Sequence, residues 1–138
     1  MPINSWLTAL TLVIFLLTGC GGPGNVRERQ ETLDAWENRV RWSAYETLID
    51  FIHPEWLEEN PITSLELERL NQFRVTEYRV RAIMMHPDGD SLARRVQIRV
   101  INIHDQRERI IDHQESWRYD EGMKRWMLHS GLPDPRRY

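Results

Sequence analysis

The chain has 138 residues, a formal net charge of −3 and 41% hydrophobic residues. That length suits one small domain built on a single core. Near-neutral charge argues against a nucleic-acid binder, which needs a basic surface.

Trp6 to Leu17 is an uncharged apolar run, too short to cross a bilayer as a permanent helix. Small residues follow it, as they do at a secretory cleavage site, and the next position holds the only cysteine, Cys20. Leu17-Thr18-Gly19-Cys20 resembles a bacterial lipobox. The resemblance implies a diacylglycerol thioether on Cys20, removal of residues 1–19 as a signal peptide, and a mature protein held to the membrane by that lipid. The competing reading, an ordinary anchor helix with an incidental cysteine, is disfavoured by the shortness of the run. Gly21 occupies the position where, in the enterobacterial sorting scheme, Asp retains a lipoprotein at the inner membrane. A glycine there implies an outer-membrane protein on the periplasmic face. An acylated Cys20 leaves no thiol for a disulfide, so stability has to come from packing. Trp36, Trp42, Trp56, Trp117 and Trp126 are the bulky candidates.

Residues 20–26 are rich in glycine and read as a flexible tether. From about Arg27 to Ile52 the period is helical. Leu33, Trp36, Val40, Ala44, Leu48 and Phe51 form one stripe, and Trp42, Tyr45, Ile49 and Ile52 widen it. Pro54 ends that helix, because proline disfavours helical geometry in the residue before it. His53 then falls at the helix C-terminus, where the dipole favours it. A short helical turn through Trp56 and Leu57 stops at Asn60-Pro61. Thr63-Ser64-Leu65-Glu66 has the form of a capping box and opens a helix through Leu70.

Beyond Leu70 the period changes to two. Tyr78, Val80, Ala82 and Met84 alternate with charged residues, and His86-Pro87-Asp88-Gly89-Asp90 is a turn. Centring the hairpin on Gly89 pairs Tyr78 with Val100, Val80 with Ile98 and Ala82 with Val96, so the apolar faces coincide. A third strand covers about Arg109 to Tyr119. Closing the last hairpin on Glu121-Gly122 sets Trp117 opposite Trp126 and Glu115 opposite Leu128. The domain then spans residues 27–133, and 134–138 form a surface tail. Helices first and strands afterwards predict an α+β fold, a long N-terminal helix on a sheet of about four antiparallel strands.

Trp117-Arg118-Tyr119-Asp120-Glu121-Gly122, Trp126-Met127-Leu128 and Leu132-Pro133 resemble the closing hairpin of the nuclear-transport-factor-2-like superfamily. The resemblance implies a cystatin-like roll, in which a curved sheet and a helix enclose a cone that many relatives use as a ligand pocket or active site. Period two aims His113 and Glu115 inward with Trp117, so His113, Glu115, Trp117 and Trp126 are the candidate pocket. A buried His and carboxylate two positions apart can share a proton or bind a polar ligand; a solvated pair at an open rim is the plainer alternative. On the other face, Arg79, Arg81, Arg95 and Arg99 form a candidate contact surface for an acidic envelope protein or for phosphates. Facing arginines repel unless anions lie between them. The bland alternative is a solvated face balanced by Glu77, Asp112 and Gln114. Seventeen of the eighteen cations are arginine, a bias that fits bidentate recognition but also a GC-rich genome. His86, Asp88 and Asp90 read as a hairpin turn and not as a cation loop.

No nucleophile elbow, phosphate loop or zinc motif occurs, and neither a cofactor nor a metal is expected. The expected function is therefore that of a membrane-anchored periplasmic lipoprotein working as a noncatalytic binding or accessory module. A small cone-pocket enzyme of isomerase or dehydratase type, or a small-molecule binder using His113 and Glu115, is the alternative.

Overall fold

The computed structural model describes residues 23–136, so Cys20 and the 1–19 segment lie outside the described residues. The order is α1 (Pro23–Arg41), α2 (Tyr45–Leu48), a 3-10 turn (Ile49–Phe51), α3 (Pro54–Glu59), α4 (Ser64–Leu70), β1 (Phe73–Met85), β2 (Ser91–Asn102), β3 (Glu108–Asp120) and β4 (Arg125–Leu128). The strands form one open antiparallel sheet in the order β1-β2-β3-β4, with α1 packed against it. The fold is α+β. No described helix is long and apolar enough to cross a membrane.

α1 begins at Pro23, inside the stretch read as a flexible tether. Proline suits the first helical position, since its missing N–H has no helical partner there. Leu33, Trp36 and Val40 form the buried stripe of α1. The helix does not continue to Ile52. It stops at Arg41, where Ala44 N–H bonds to Arg39 O (3.0 Å) and Ser43 N–H to Val40 O (2.9 Å). That pair of bonds is a Schellman ending, and Ser43 takes its left-handed residue with φ 56°. The chain turns, and Trp42, expected in the core, is 78% exposed. Tyr45, Leu48, Phe51 and Ile52 are re-aimed inward.

His53 is the N-cap of α3 and not a helix C-terminus: its side chain accepts from Glu55 N–H, and Pro54 starts the helix. The Thr63–Glu66 capping box opens α4 with both reciprocal bonds made.

The β1–β2 pairing differs from the register read in the sequence. Tyr78 faces Ile98, Val80 faces Val96 and Ala82 faces Arg95, with irregularities at Val75/Glu77 and Val80/Ala82. Each bulge adds a residue to β1 and turns the following side chains over. After the second, Ile83 and Met85 share the helix-side face with Arg94 and Leu92, while Ala82 and Met84 move to the outer face. In the last hairpin Trp117 faces Leu128 and Tyr119 faces Trp126. Its turn is longer than Glu121-Gly122, with Met123 N–H bonded to Asp120 Oδ1 (2.6 Å) and Lys124 at φ 53°. The slip is two positions, so the inward face survives it.

The core lies between α1 and the sheet. Trp36 meets Trp117 edge-on at 5.5 Å and Phe51 at 5.6 Å between ring centroids. In the tail, Asp134 and Pro135 are buried and Arg136 is exposed. Arg109 Nη1 donates to Pro135 O at 2.9 Å.

Candidate functional site

β3 places Ile111, His113, Glu115 and Trp117 on the inward face, as period two requires, and all four are buried. Glu115 has no solvent exposure. Four side chains donate to its carboxylate. Trp36 Nε1 (2.7 Å) and Tyr78 OH (2.6 Å) reach Oε1. Arg94 Nε (2.8 Å) and Trp117 Nε1 (3.0 Å) reach Oε2, and Arg94 Nη2 lies 2.7 Å from the same oxygen. Arg94 Nη2 also donates to the Tyr78 oxygen at 2.9 Å, closing the ring of bonds. Burial, reinforced by the Glu115 charge, pushes the Tyr78 hydroxyl well above its ordinary value and keeps it protonated as a donor.

Charge-assisted bonds to a fully desolvated carboxylate are strong, and these leave no lone-pair direction free for a substrate. Arg94 is the member of this cluster that no motif singles out. The alternation that puts Val96, Ile98 and Val100 inward also puts Arg94 inward, one cross-strand step from Glu115.

His113 does not share the Glu115 proton. Its Nε2 is buried without a hydrogen-bond partner among the described residues. Burial lowers its pKa below the ordinary value, against the pull of Glu115 and a backbone hydrogen bond at Gly131. Trp126 is fully buried and faces Tyr119, with ring centroids 6.0 Å apart, while the Arg29 guanidinium lies 5.8 Å over its ring. Three surface clefts, of about 170, 300 and 190 Å³, are lined by other residues, and His113, Glu115, Trp117 and Trp126 belong to none of them.

A second polar cluster was not legible in the sequence. His53 Nε2 meets Asp120 Oδ2 at 3.0 Å, and the His53 ring stacks on His129 at 4.5 Å. The Met123 backbone N–H, then His53, hold the Asp120 carboxyl below the usual range. Because His53 Nδ1 already accepts from Glu55 N–H, Nε2 carries the proton toward Asp120. That histidine is occupied as a cap and offers no free base. Among the described residues no group of three His, Cys, Asp or Glu side chains could hold a metal ion.

The expected arginine face is divided. Arg79 and Arg99 do not oppose each other: Arg79 faces Gln97, and Glu77 faces Arg99. Glu77 accepts from Arg79 Nε at 2.7 Å and lies 3.6 Å from Arg99 Nε, and Glu108 lies 3.5 Å from Arg99 Nη1. Arg81 donates to Gln97. Arg95 is exposed and has no hydrogen-bond or ion-pair partner among the described residues.

No protein-family model and no curated protein matches the chain. Among solved structures it is similar to a SEC-C motif containing protein from Rhodopseudomonas palustris, with TM-score 0.56 and 13% identity over 75% of this chain and 76% of that one. That likeness shows a shared fold. Looser likenesses are to the epoxide hydrolase/cyclase-like enzyme SalBIII (TM-score 0.47, 12% identity, 75% of this chain and 92% of that one) and to the intermembrane space region of the chloroplast protein ARC6 (TM-score 0.39, 10% identity, 78% and 94%).

Proposed function

We propose that this protein is a lipoprotein of the bacterial envelope, anchored by an acylated Cys20, whose domain is a noncatalytic binding or accessory module. The domain is read as a cystatin-like roll of the nuclear-transport-factor-2-like kind. The anchor rests on Leu17 to Cys20, and placement at the periplasmic face of the outer membrane rests on Gly21. Its partner is an envelope protein within reach of the membrane.

The observation that supports a noncatalytic role is the condition of Glu115. A general acid or base has to come within hydrogen-bond reach of its substrate. Glu115 has no exposure, and four side chains already donate to it. Recognition then falls to the outer surface, where lipid anchoring raises local concentration and lets weak contacts suffice.

The test is made on protein recovered from bacterial membranes. Intact mass is expected to place the N-terminus at Cys20 with added acyl chains, and Cys20→Ser to remove them. A chain that kept residues 1–19 and carried no acyl mass would end the anchor reading. Photo-crosslinking in intact cells should capture envelope proteins from the wild type. Equal capture of the same proteins by Cys20→Ser would show that confinement to the membrane is not how the protein works.

A further inference from the structure

On the outer sheet face near the β1–β2 turn, three cross-strand rows run Ala82–Arg95–Gln114, Met84–Ala93–Ser116 and Ser91–Arg118. They contain two arginines and no carboxylate. Arg95 and Arg118 are both exposed, and neither has a hydrogen-bond or ion-pair partner among the described residues. Farther along the same face, Glu77 and Glu108 match Arg79 and Arg99. At the β1–β2 turn end, by contrast, two exposed arginines stand within these rows without a matching carboxylate.

The middle row has a shape to go with that charge. A long side chain at Met84 beside small ones at Ala93 and Ser116 leaves a trough. It appears as two adjoining clefts of about 300 and 190 Å³, both lined by Met84 and Ala93. One reaches Arg118, the other Arg95. The two Cα atoms are about 14 Å apart by strand geometry, so guanidinium groups on extended side chains can converge over the trough. Around it the edge strand is apolar at the water interface: Ile83 is 57% exposed, Met84 64% and Met85 43%. The bulge at Val80/Ala82 distributes these three over both faces of the strand. Asp88 and Asp90 occupy the turn itself, with His86 Nδ1 2.8 Å from Asp88, so the apolar surface is the flank of the hairpin and not its tip.

This flank lies beside the point where the anchor enters the domain. Arg29 Nη1 on α1 is 3.7 Å from Met85 Sδ. Pro23 starts the helix six positions earlier, about 9 Å along its axis. Cys20 precedes Pro23 by three positions, a span of at most about 11 Å. Adding the reach of the Arg29 side chain to Met85, the acyl chains start within about 30 Å of that methionine.

We propose that Ile83, Met84 and Met85, with Arg95 and Arg118, form a second membrane contact that seats anionic phospholipid headgroups and fixes how the domain sits on the bilayer. Guanidinium groups pair with phosphate in fixed geometry, and apolar side chains beside them enter the headgroup–acyl boundary. One lipid anchor leaves a domain free to rotate about its tether; a second contact removes that freedom. The inference rests on acylation of Cys20.

The acylated chain, whose only natural thiol is consumed by the lipid, is given a new thiol by Met84→Cys and labelled with a polarity-sensitive fluorophore. Ile103→Cys, at the β2–β3 turn on the opposite end of the sheet, serves as the reference position. Each protein is bound to vesicles of phosphatidylcholine alone or mixed with phosphatidylglycerol, and flotation reports anchoring separately. The expected result is flotation on both, with a blue shift at position 84 that is several-fold larger on phosphatidylglycerol and absent at position 103. Arg95→Gln with Arg118→Gln should abolish the phosphatidylglycerol preference while flotation persists. Flotation without any shift at position 84 overturns the second contact and leaves the anchor standing. Failure to float removes the anchor and the inference together. A shift that grows with protein concentration in the absence of vesicles assigns the flank to a second copy of the chain and also overturns it.

Discussion

Glu115 carries its charge where an unpaired carboxylate costs several kcal/mol, and Arg94 at 4% exposure is equally committed. The pair persists because the indole N–H groups of Trp36 and Trp117 and the Tyr78 hydroxyl complete the carboxylate's bonding. Glu115→Gln removes the charge but leaves Arg94 buried without its partner. It is expected to destabilise the fold by about 3–5 kcal/mol, read as a fall in the urea midpoint. An effect below about 1 kcal/mol, the range of an exposed pair, would mean that water reaches the site. His113 gives a different signature. Its folded pKa is held below the ordinary 6.5 by burial, so the unfolded chain takes up a proton before the native one does. Its contribution is full above about pH 6.5 and is lost as pH falls toward the folded value. The drop in Tm between pH 7 and pH 5 should therefore be smaller in His113→Gln than in the wild type. Identical drops would show that His113 ionises freely in the native state.

Among the elements, the short helix α4 depends most visibly on local sequence. It has seven residues, too few to be stable by propensity, and its N-terminus is held by the reciprocal Thr63–Glu66 bonds. Thr63→Ala is expected to cost about 1 kcal/mol, with faster hydrogen exchange confined to residues 64–70 if the loss is local. Unchanged exchange and stability would mean that packing of Leu70 and Phe73 alone holds the segment. The end of α1 shows the opposite dependence. Helix C-termini of this geometry usually place glycine at the left-handed position, and here the residue is Ser43. Its hydroxyl accepts the Val75 backbone N–H of β1 at 2.9 Å, a partner more than thirty positions away. Nothing near Ser43 in the sequence announces that stop, and so the helical period of residues 27–52 reads as one helix where the chain forms α1, α2 and a 3-10 turn.

For the whole molecule, the α+β class, the four strands, the inward faces of β2 and β3 and the capping box were all legible, because each depends on periodicity or on residues a few positions apart. His113, Glu115, Trp117 and Trp126 were identified as inward-facing for the same reason. Their roles were not legible. A side chain's position on a face follows from the pleat, whereas its protonation and its partners follow from what the opposite layer supplies. Here that layer supplies Trp36 from α1, while Tyr78 and Arg94 come from neighbouring strands, and together they turn a candidate acid into a buried, fully bonded anion. Strand register fell between these cases. The pairing is displaced even beside the loops, by one position at Met85–Leu92 and by two in the last hairpin, and the bulges of β1 shift it further and carry Met84 to the outer face. The sequence by itself determined the order of helices and strands and the faces that β2 and β3 bury, since these arise from local sterics and the spacing of apolar residues. Only the tertiary structure decided where α1 stops, which arginines stay uncompensated and what Glu115 can do, because each of those depends on a partner that the chain brings close only by folding.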